Sequence, residues 1–132
     1  MSKSALYTVN SNTQTVDVGA TINLGSTIRR FGCETTLSGS TINVDDTGYY
    51  NVAVSITATP TAAGTVTATL YNNGVAVPGA TASSTVAAND TTNLSFDSIV
   101  RVFCGATTGA LTVVLSGVAS EISNIATVVI KL

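Results

Sequence analysis

Hydrophobic and polar residues alternate with a period of two between positions 50 and 59. This pattern predicts a strand with one face on a core and the other facing outward. The inward set is Tyr50, Val52, Val54, Ile56 and Ala58, and the outward set is Asn51, Ala53, Ser55, Thr57 and Thr59. A turn is expected at residues 60–64, and a second strand should follow with Val66, Ala68 and Leu70 facing in.

The next segment carries the turn chemistry of a hairpin. Asn72-Asn73-Gly74 supplies residues that accept positive φ, which predicts a tight turn into a third strand with Val75 and Val77. Pro78-Gly79 should then stop or bulge that strand. The three segments together predict a meandering antiparallel sheet.

Shorter alternating runs occur along the rest of the chain. They predict strands at 5–10, at 16–24 with an interruption at Gly19, at 42–44, at 94–102, at 111–115 and at 126–132, whereas residues 25–39 are less regular. No window shows a helical apolar period with a cap. About eight or nine short strands separated by turn signals predict an all-β antiparallel two-sheet sandwich of jelly-roll type.

Two of these strands are apolar on both faces. Residues 99–103 and 128–130 have hydrophobic side chains at odd and even positions alike. Such a strand lies between two packed layers. In an antiparallel protein of this size, the second layer is most easily another subunit.

The amino-acid composition also indicates association with other copies of the chain. Of the 132 residues only 9% are charged while 45% are hydrophobic, and the mean hydropathy is +0.44. With so little charge, part of the surface is expected to be buried against other copies of the chain. The net charge of −2 shows no clustering, so neither nucleic acid nor an anionic membrane is an expected partner. The length predicts one domain over residues 1–132.

No residues suited to catalysis or cofactor binding stand out. The chain has no histidine, the commonest base for a Ser or Cys nucleophile, so we expect a non-enzyme without catalytic, cofactor or metal residues. Asp45-Asp46 is typical of a capped turn, with a calcium site using Asp45, Asp46 or Asp90 as the weaker alternative. Cys33 and Cys104 fit no metal spacing; free thiols are expected, with a disulfide as the alternative.

Arg29-Arg30 is the only paired basic feature in the sequence. It is open to two interpretations. The arginines could contact an acidic partner or a neighbouring subunit, or they could lie on a solvated loop.

Two motifs carry a resemblance to known proteins. Residues 46–52, DTGYYNV, resemble the Gly-Tyr strand start of tumour-necrosis-factor-like and complement-type globular-head domains, and residues 70–74, LYNNG, resemble their Asn-Gly hairpin. The order of TATPTAAGTVTATLYNNGVAVPGATASSTVA, RVFCG, LTVVLSGVA and VVIKL is similar to small bacterial and phage-encoded proteins of gut Firmicutes type. Those proteins are associated with phage heads, head fibres and spore-surface coats.

The resemblance implies a jelly roll assembled as a tight homotrimer, with the sheet of the Gly-Tyr strand and the C-terminal strand facing the threefold axis. The residues expected at that interface are Tyr49, Asn51, Ile99, Arg101, Phe103 and Val129. Such fibre and spore proteins often carry a preceding collagen-like or anchoring segment. This sequence shows none, so the domain is expected to be complete.

The implied function is a structural role in a bacteriophage virion, as an outer capsid decoration or head-fibre protein. Its partners would be other copies and other virion or capsid proteins, and its location the virion surface. Two alternatives remain. One is a receptor- or glycan-binding head with specificity in loops around Ala62, Asn89 and Thr107, and the other is a spore-surface coat protein.

Overall fold

Eleven β-strands form the secondary structure of the residues described by this computed structural model, which are 4–32, 35–45, 47–102 and 109–132. The strands are β1 Ala5–Asn10, β2 Gln14–Val16, β3 Ser26–Phe31, β4 Thr35–Ser38, β5 Thr41–Val44, β6 Gly48–Pro60, β7 Gly64–Asn72, β8 Val75–Val86, β9 Thr92–Val102, β10 Gly109–Ser116 and β11 Ser120–Lys131. The expectations for Cys33, Asp46, Phe103, Cys104 and Thr107 lie outside the described residues.

The strands pair into two antiparallel sheets. Sheet I has the order β3-β1-β11-β6-β9, with β2 also paired to β11, and sheet II has the order β4-β5-β10-β7-β8. Neighbouring strands are mostly distant in sequence, so the chain crosses repeatedly between the sheets. The predicted meander of β6, β7 and β8 is therefore wrong, because β6 lies in sheet I and only β7 and β8 pair, in sheet II. The expected all-β, two-sheet antiparallel class is confirmed.

The core lies between the sheets and follows the predicted alternation. Tyr50, Val52, Val54, Ile56 and Ala58 of β6 are buried in it. The inward residues of sheet II include Val66, Ala68 and Leu70 of β7 and Leu111, Val113 and Leu115 of β10. Burial of apolar surface between the layers is the main stabilising contribution.

The predicted hairpin is present between β7 and β8. Asn73 and Gly74 have φ angles of 53° and 81°, as a two-residue turn with positive φ at both positions requires. In β8 the pairing with β7 shifts between Thr69 and Tyr71, and Gly79 has a φ of 79°. Pro78-Gly79 therefore bulges the strand without ending it.

The segment at 16–24 is not one strand, as the alternation predicted. β2 pairs with β11 in sheet I, whereas Thr21 bridges Val114 in sheet II. The chain changes sheet at Gly19, whose φ is 82°. This turn leaves Val18 exposed, although its parity matched that of the buried Ile22.

Two further strands, β3 and β4, occupy the stretch that had no regular pattern. All of β3 is exposed, and its pairing with β1 shifts between Tyr7 and Thr8.

β11 begins six residues earlier than the predicted Ala126, at Ser120. A register shift between Ile122 and Asn124 interrupts its alternation, which explains why only the later part was visible in the sequence.

Candidate subunit interface

The outer face of sheet I carries most of the exposed apolar side chains. Among the described residues, nine large hydrophobic side chains are exposed, and five of them lie on this face. These five are Tyr7, Phe31, Tyr49, Ile99 and Ile130. A contiguous apolar patch on a soluble protein marks an interaction surface, so this face is the candidate site.

The register of sheet I arranges this face in lateral rows across the five strands. One row contains Phe31, Ala5, Ile130, Asn51 and Ile99, in that order from the β3 edge to the β9 edge. The next row contains Arg29, Tyr7, Val128, Ala53 and Asp97. The third contains Ser26, Val9, Ala126, Ser55 and Ser95.

Within the described residues, two open depressions lie along this face. The larger, of about 390 Å³, is lined by Ala53, Val54, Ser55, Ser95, Phe96, Asp97, Ala126 and Val128. The smaller, of about 240 Å³, is lined by Ala5, Leu6, Tyr7, Arg29, Arg30, Phe31, Val128 and Ile130. Both include Val128, so the depressions adjoin, and each has one charged edge residue of the second row on its border.

The other end of the same face is polar, and side chains there hydrogen-bond to one another. Thr57 donates a hydrogen bond from Oγ1 to Oδ1 of Asn93 at 3.0 Å. The hydroxyls of Thr59 and Thr91 lie 3.2 Å apart. The apolar patch is therefore confined to the part of sheet I nearer Phe31 and Ile99.

Tyr49 and Arg101 form the rim of the patch. They are directly opposite in the β6–β9 register, and the Arg101 guanidinium lies over the Tyr49 ring, 5.7 Å from its centroid. This is a cation–π distance. The Tyr49 ring is half exposed.

The six predicted interface residues do not all lie on the outer face of sheet I. Tyr49, Asn51, Ile99 and Arg101 all point outward on this face, and their role at an interface stays a prediction. Val129 points the other way and is 0% exposed in the core, so its expected outward position is wrong. Phe103 lies outside the described residues.

Sequence reasoning missed several members of the patch. Ile130 and Val128 flank Val129 and face outward. In β1, the alternation of Leu6 and Tyr7 was visible in the sequence, and Tyr7 is the residue of the two that faces outward. Phe31 gave no signal, because β3 is exposed along its whole length and shows no alternation, whereas Arg29 was visible only as part of a basic pair. Arg29 and Arg30 lie on an exposed strand and not on a loop, and their contact with a partner or neighbouring subunit stays a prediction.

The outer face of sheet II is different in character. Three hydroxyl pairs cross from β7 to β8: Thr65 with Thr85 at 2.8 Å, Thr67 with Ser83 at 2.9 Å and Thr69 with Thr81 at 3.1 Å. These side chains pair with one another across the strands. The part of this face formed by β7 and β8 is therefore polar.

The described ranges contain no group of three or more residues that could hold a metal ion. Within the same ranges, no helix is long and apolar enough to cross a membrane.

No protein-family model and no curated protein sequence matches the chain. Solved structures do match. Murine APRIL is 14% identical with a TM-score of 0.78, and the match covers 99% of this chain and 100% of that one. The globular domain of zebrafish complement 1qA protein is 5% identical with a TM-score of 0.71, covering 94% of each chain.

The chain has a tumour-necrosis-factor-like jelly-roll fold. This confirms the fold that the Gly-Tyr and Asn-Gly motifs implied. The PRD1 vertex protein P5 shares it, with 14% identity, a TM-score of 0.61, and coverage of 98% of this chain and 96% of that one.

Proposed function

We propose that this chain is a homotrimeric structural protein of a bacteriophage virion, acting as an outer capsid decoration or head-fibre component. The observation that carries the proposal is the apolar outer face of sheet I, which has no cover within the described chain. In the trimer, these faces surround the threefold axis and are removed from water. Catalysis is not part of this role.

Two features support burial of this face by other copies. Phe31 and Ile99 are 63% and 60% exposed in the single chain, which leaves large apolar side chains in water at both edges. The charged fraction of 9% is low for a chain that stays apart from others. The polar far end of sheet I and the hydroxyl pairs of sheet II remain for contact with solvent or with other virion proteins.

Similarity in fold supports placing the trimer on a virion. The phage PRD1 vertex protein P5 belongs to the neighbours that align over nearly the whole chain. The narrower gut Firmicutes type finds no support among the matched structures, so the proposal is limited to a phage virion.

The trimer is tested by aspartate substitutions at two exposed apolar residues, one on the outer face of sheet I and one away from it. Wild-type protein should show a mass three times the 13.3 kDa of one chain in light scattering at micromolar concentration. Ile130→Asp places a charge on the outer face and should give folded monomers. Val75→Asp is the matched control, because Val75 is 69% exposed on β8, away from sheet I, and that variant should stay trimeric.

Val129→Asp gives a different result from either variant. It buries a carboxylate in the core, so loss of the folded state is expected whatever the oligomer. A monomeric wild type, or an Ile130→Asp variant with the native mass, would contradict the assembly.

The location is tested with labelled trimers and purified particles. Saturable labelling of phage capsids or of a fibre base supports the virion role. Binding on a glycan array, lost on substitution in the loops around Ala62 or Asn89, would instead favour a receptor- or glycan-binding head. Labelling of spore surfaces would favour the spore-coat alternative.

A further inference from the structure

The two edges of the outer face of sheet I present matching chemistry, row by row. In the first row Phe31 stands at the β3 edge and Ile99 at the β9 edge, both apolar. The third row ends in two hydroxyls, Ser26 and Ser95. Between them, the second row ends in opposite charges, with Arg29 on β3 and Asp97 on β9.

These charges cannot meet within one chain. The β3 and β9 edges are four strand spacings apart in sheet I, which is about 19 Å at the usual spacing between strands. Arg29 uses Nη1 to donate to the carbonyl oxygen of Ile28, its own neighbour, at 3.0 Å. Within the described ranges Asp97 has no hydrogen bond or ion pair, and both side chains are exposed.

Rotational symmetry brings the two edges together between chains. We take the threefold axis to run along the two central strands of sheet I, β11 and β6. Rotation about this axis keeps every residue at its own height along the axis. A closed ring uses two different patches of each subunit, and here the patches are the β3 edge and the β9 edge. In this arrangement the end of each row faces the opposite end of the same row in the next copy.

We propose that Arg29 of one copy forms an ion pair with Asp97 of the next copy around the ring, while Phe31 packs against Ile99 in the adjoining row. The occupant of the face is therefore a second copy of this chain. This inference rests on the proposed trimer and adds the contact that sets its direction and register.

The surroundings make such a pair effective. An ion pair in open water contributes little to association, because solvent and salt screen it. Here the adjoining apolar row excludes water from one side of the pair. Charge pairs enclosed in an interface show strong coupling, equivalent to about tenfold or more in the dissociation constant.

Charge reversal tests the pair directly. Arg29→Glu and Asp97→Arg are each made alone and then combined, and the dissociation constant is measured by sedimentation equilibrium. Each single variant places like charges together and should weaken association by about tenfold or more. The double variant restores opposite charges and should return to within about threefold of wild type.

A second double variant controls for net charge. Arg29→Glu with Asp90→Arg has the same net charge as the swapped pair, but Asp90 lies between β8 and β9, away from the rows. It should stay as weak as Arg29→Glu alone. Circular dichroism of each variant checks folding, which substitutions at these exposed positions should preserve.

The outcomes separate this inference from the proposed function. A trimeric wild type whose single variants keep the wild-type dissociation constant, or whose swapped double variant is no tighter than either single one, overturns the ion pair alone. A dimer with rescue by the swap overturns the trimer and keeps the pair. A wild type that is monomeric at all concentrations overturns both.

Discussion

Arg101 lies over the ring of Tyr49, its opposite neighbour across β6 and β9, at 5.7 Å from the ring centroid. The pair stands where the exposed apolar face of sheet I meets solvent. It joins the start of β6 to the end of β9, which is an edge strand of the sheet.

A double-mutant cycle on this pair should report its environment. With Tyr49→Leu and Arg101→Met, the coupling in the free energy of unfolding should be about 0.5–1 kcal/mol for a solvent-exposed pair and about 2 kcal/mol for one enclosed by a neighbouring subunit. Urea titrations at fixed protein concentration measure it. Zero coupling would mean that the observed geometry contributes nothing.

Two buried threonines offer a way to stabilise the fold. Thr8 and Thr127 are opposite in the β1–β11 register, and neither hydroxyl has a hydrogen-bond partner within the described structure. Each Thr→Val change replaces a desolvated hydroxyl with a methyl group of similar size. We expect the free energy of unfolding to rise by about 1 kcal/mol for either variant.

Thr35→Val is the control for that prediction. Thr35 is equally buried, but its hydroxyl lies 3.1 Å from that of Ser4, so the change removes a hydrogen bond. It should lower the free energy of unfolding by about 1 kcal/mol. If Thr8→Val and Thr127→Val destabilise as much as Thr35→Val, their hydroxyls have a partner such as a bound water.

The turn between β10 and β11 depends on a glycine. Gly117 has a φ of +89°, and a Cβ atom there would overlap the carbonyl oxygen of Thr65. Gly74 has a similar φ of +81°, with no atom within 4 Å of the corresponding position. Gly74→Ala should therefore cost only the backbone penalty, about 1–2 kcal/mol.

Gly117→Ala carries that penalty and the overlap together. It should be more destabilising than Gly74→Ala by about 1 kcal/mol or more, since the β7 backbone at Thr65 must shift. Thermal and urea unfolding of the two variants, side by side, isolate the steric contribution. Equal losses of stability in the two variants would show that the backbone at Thr65 can move away without an energetic cost.

The hairpin asparagine is expected to act through both its backbone and its side chain. Asn73 has a φ of 53°, and its Oδ1 accepts a hydrogen bond from the Ala110 amide at 2.9 Å. Asn73→Gly keeps the backbone freedom but removes the acceptor, whereas Asn73→Ala loses both. Asn73→Asp keeps an acceptor.

The free energy of unfolding should therefore fall least for Asp, by about 1 kcal/mol for Gly, and most for Ala. If the alanine variant were as stable as the glycine variant, the positive φ of Asn73 would have no effect on stability.

Much of the fold was predictable because its causes are local. The period-two alternation of β6 follows from the pleat of a strand, and the Asn73-Gly74 turn follows from the φ angles those residues accept. β3 was not predictable, since it is exposed along its whole length and its register with β1 shifts.

The candidate interface was only partly predictable. In β11, Val128, Val129 and Ile130 are all apolar, so hydrophobicity alone could not say which parity faces the core. Pairing with β1 and β6 decided it, placing Val129 inside and Ile130 outside. The sequence thus determined that β11 has two apolar faces, because composition at each parity is a local property. Which face stays open, and which charges share a row with it, depended on strand register, which only the tertiary structure supplies.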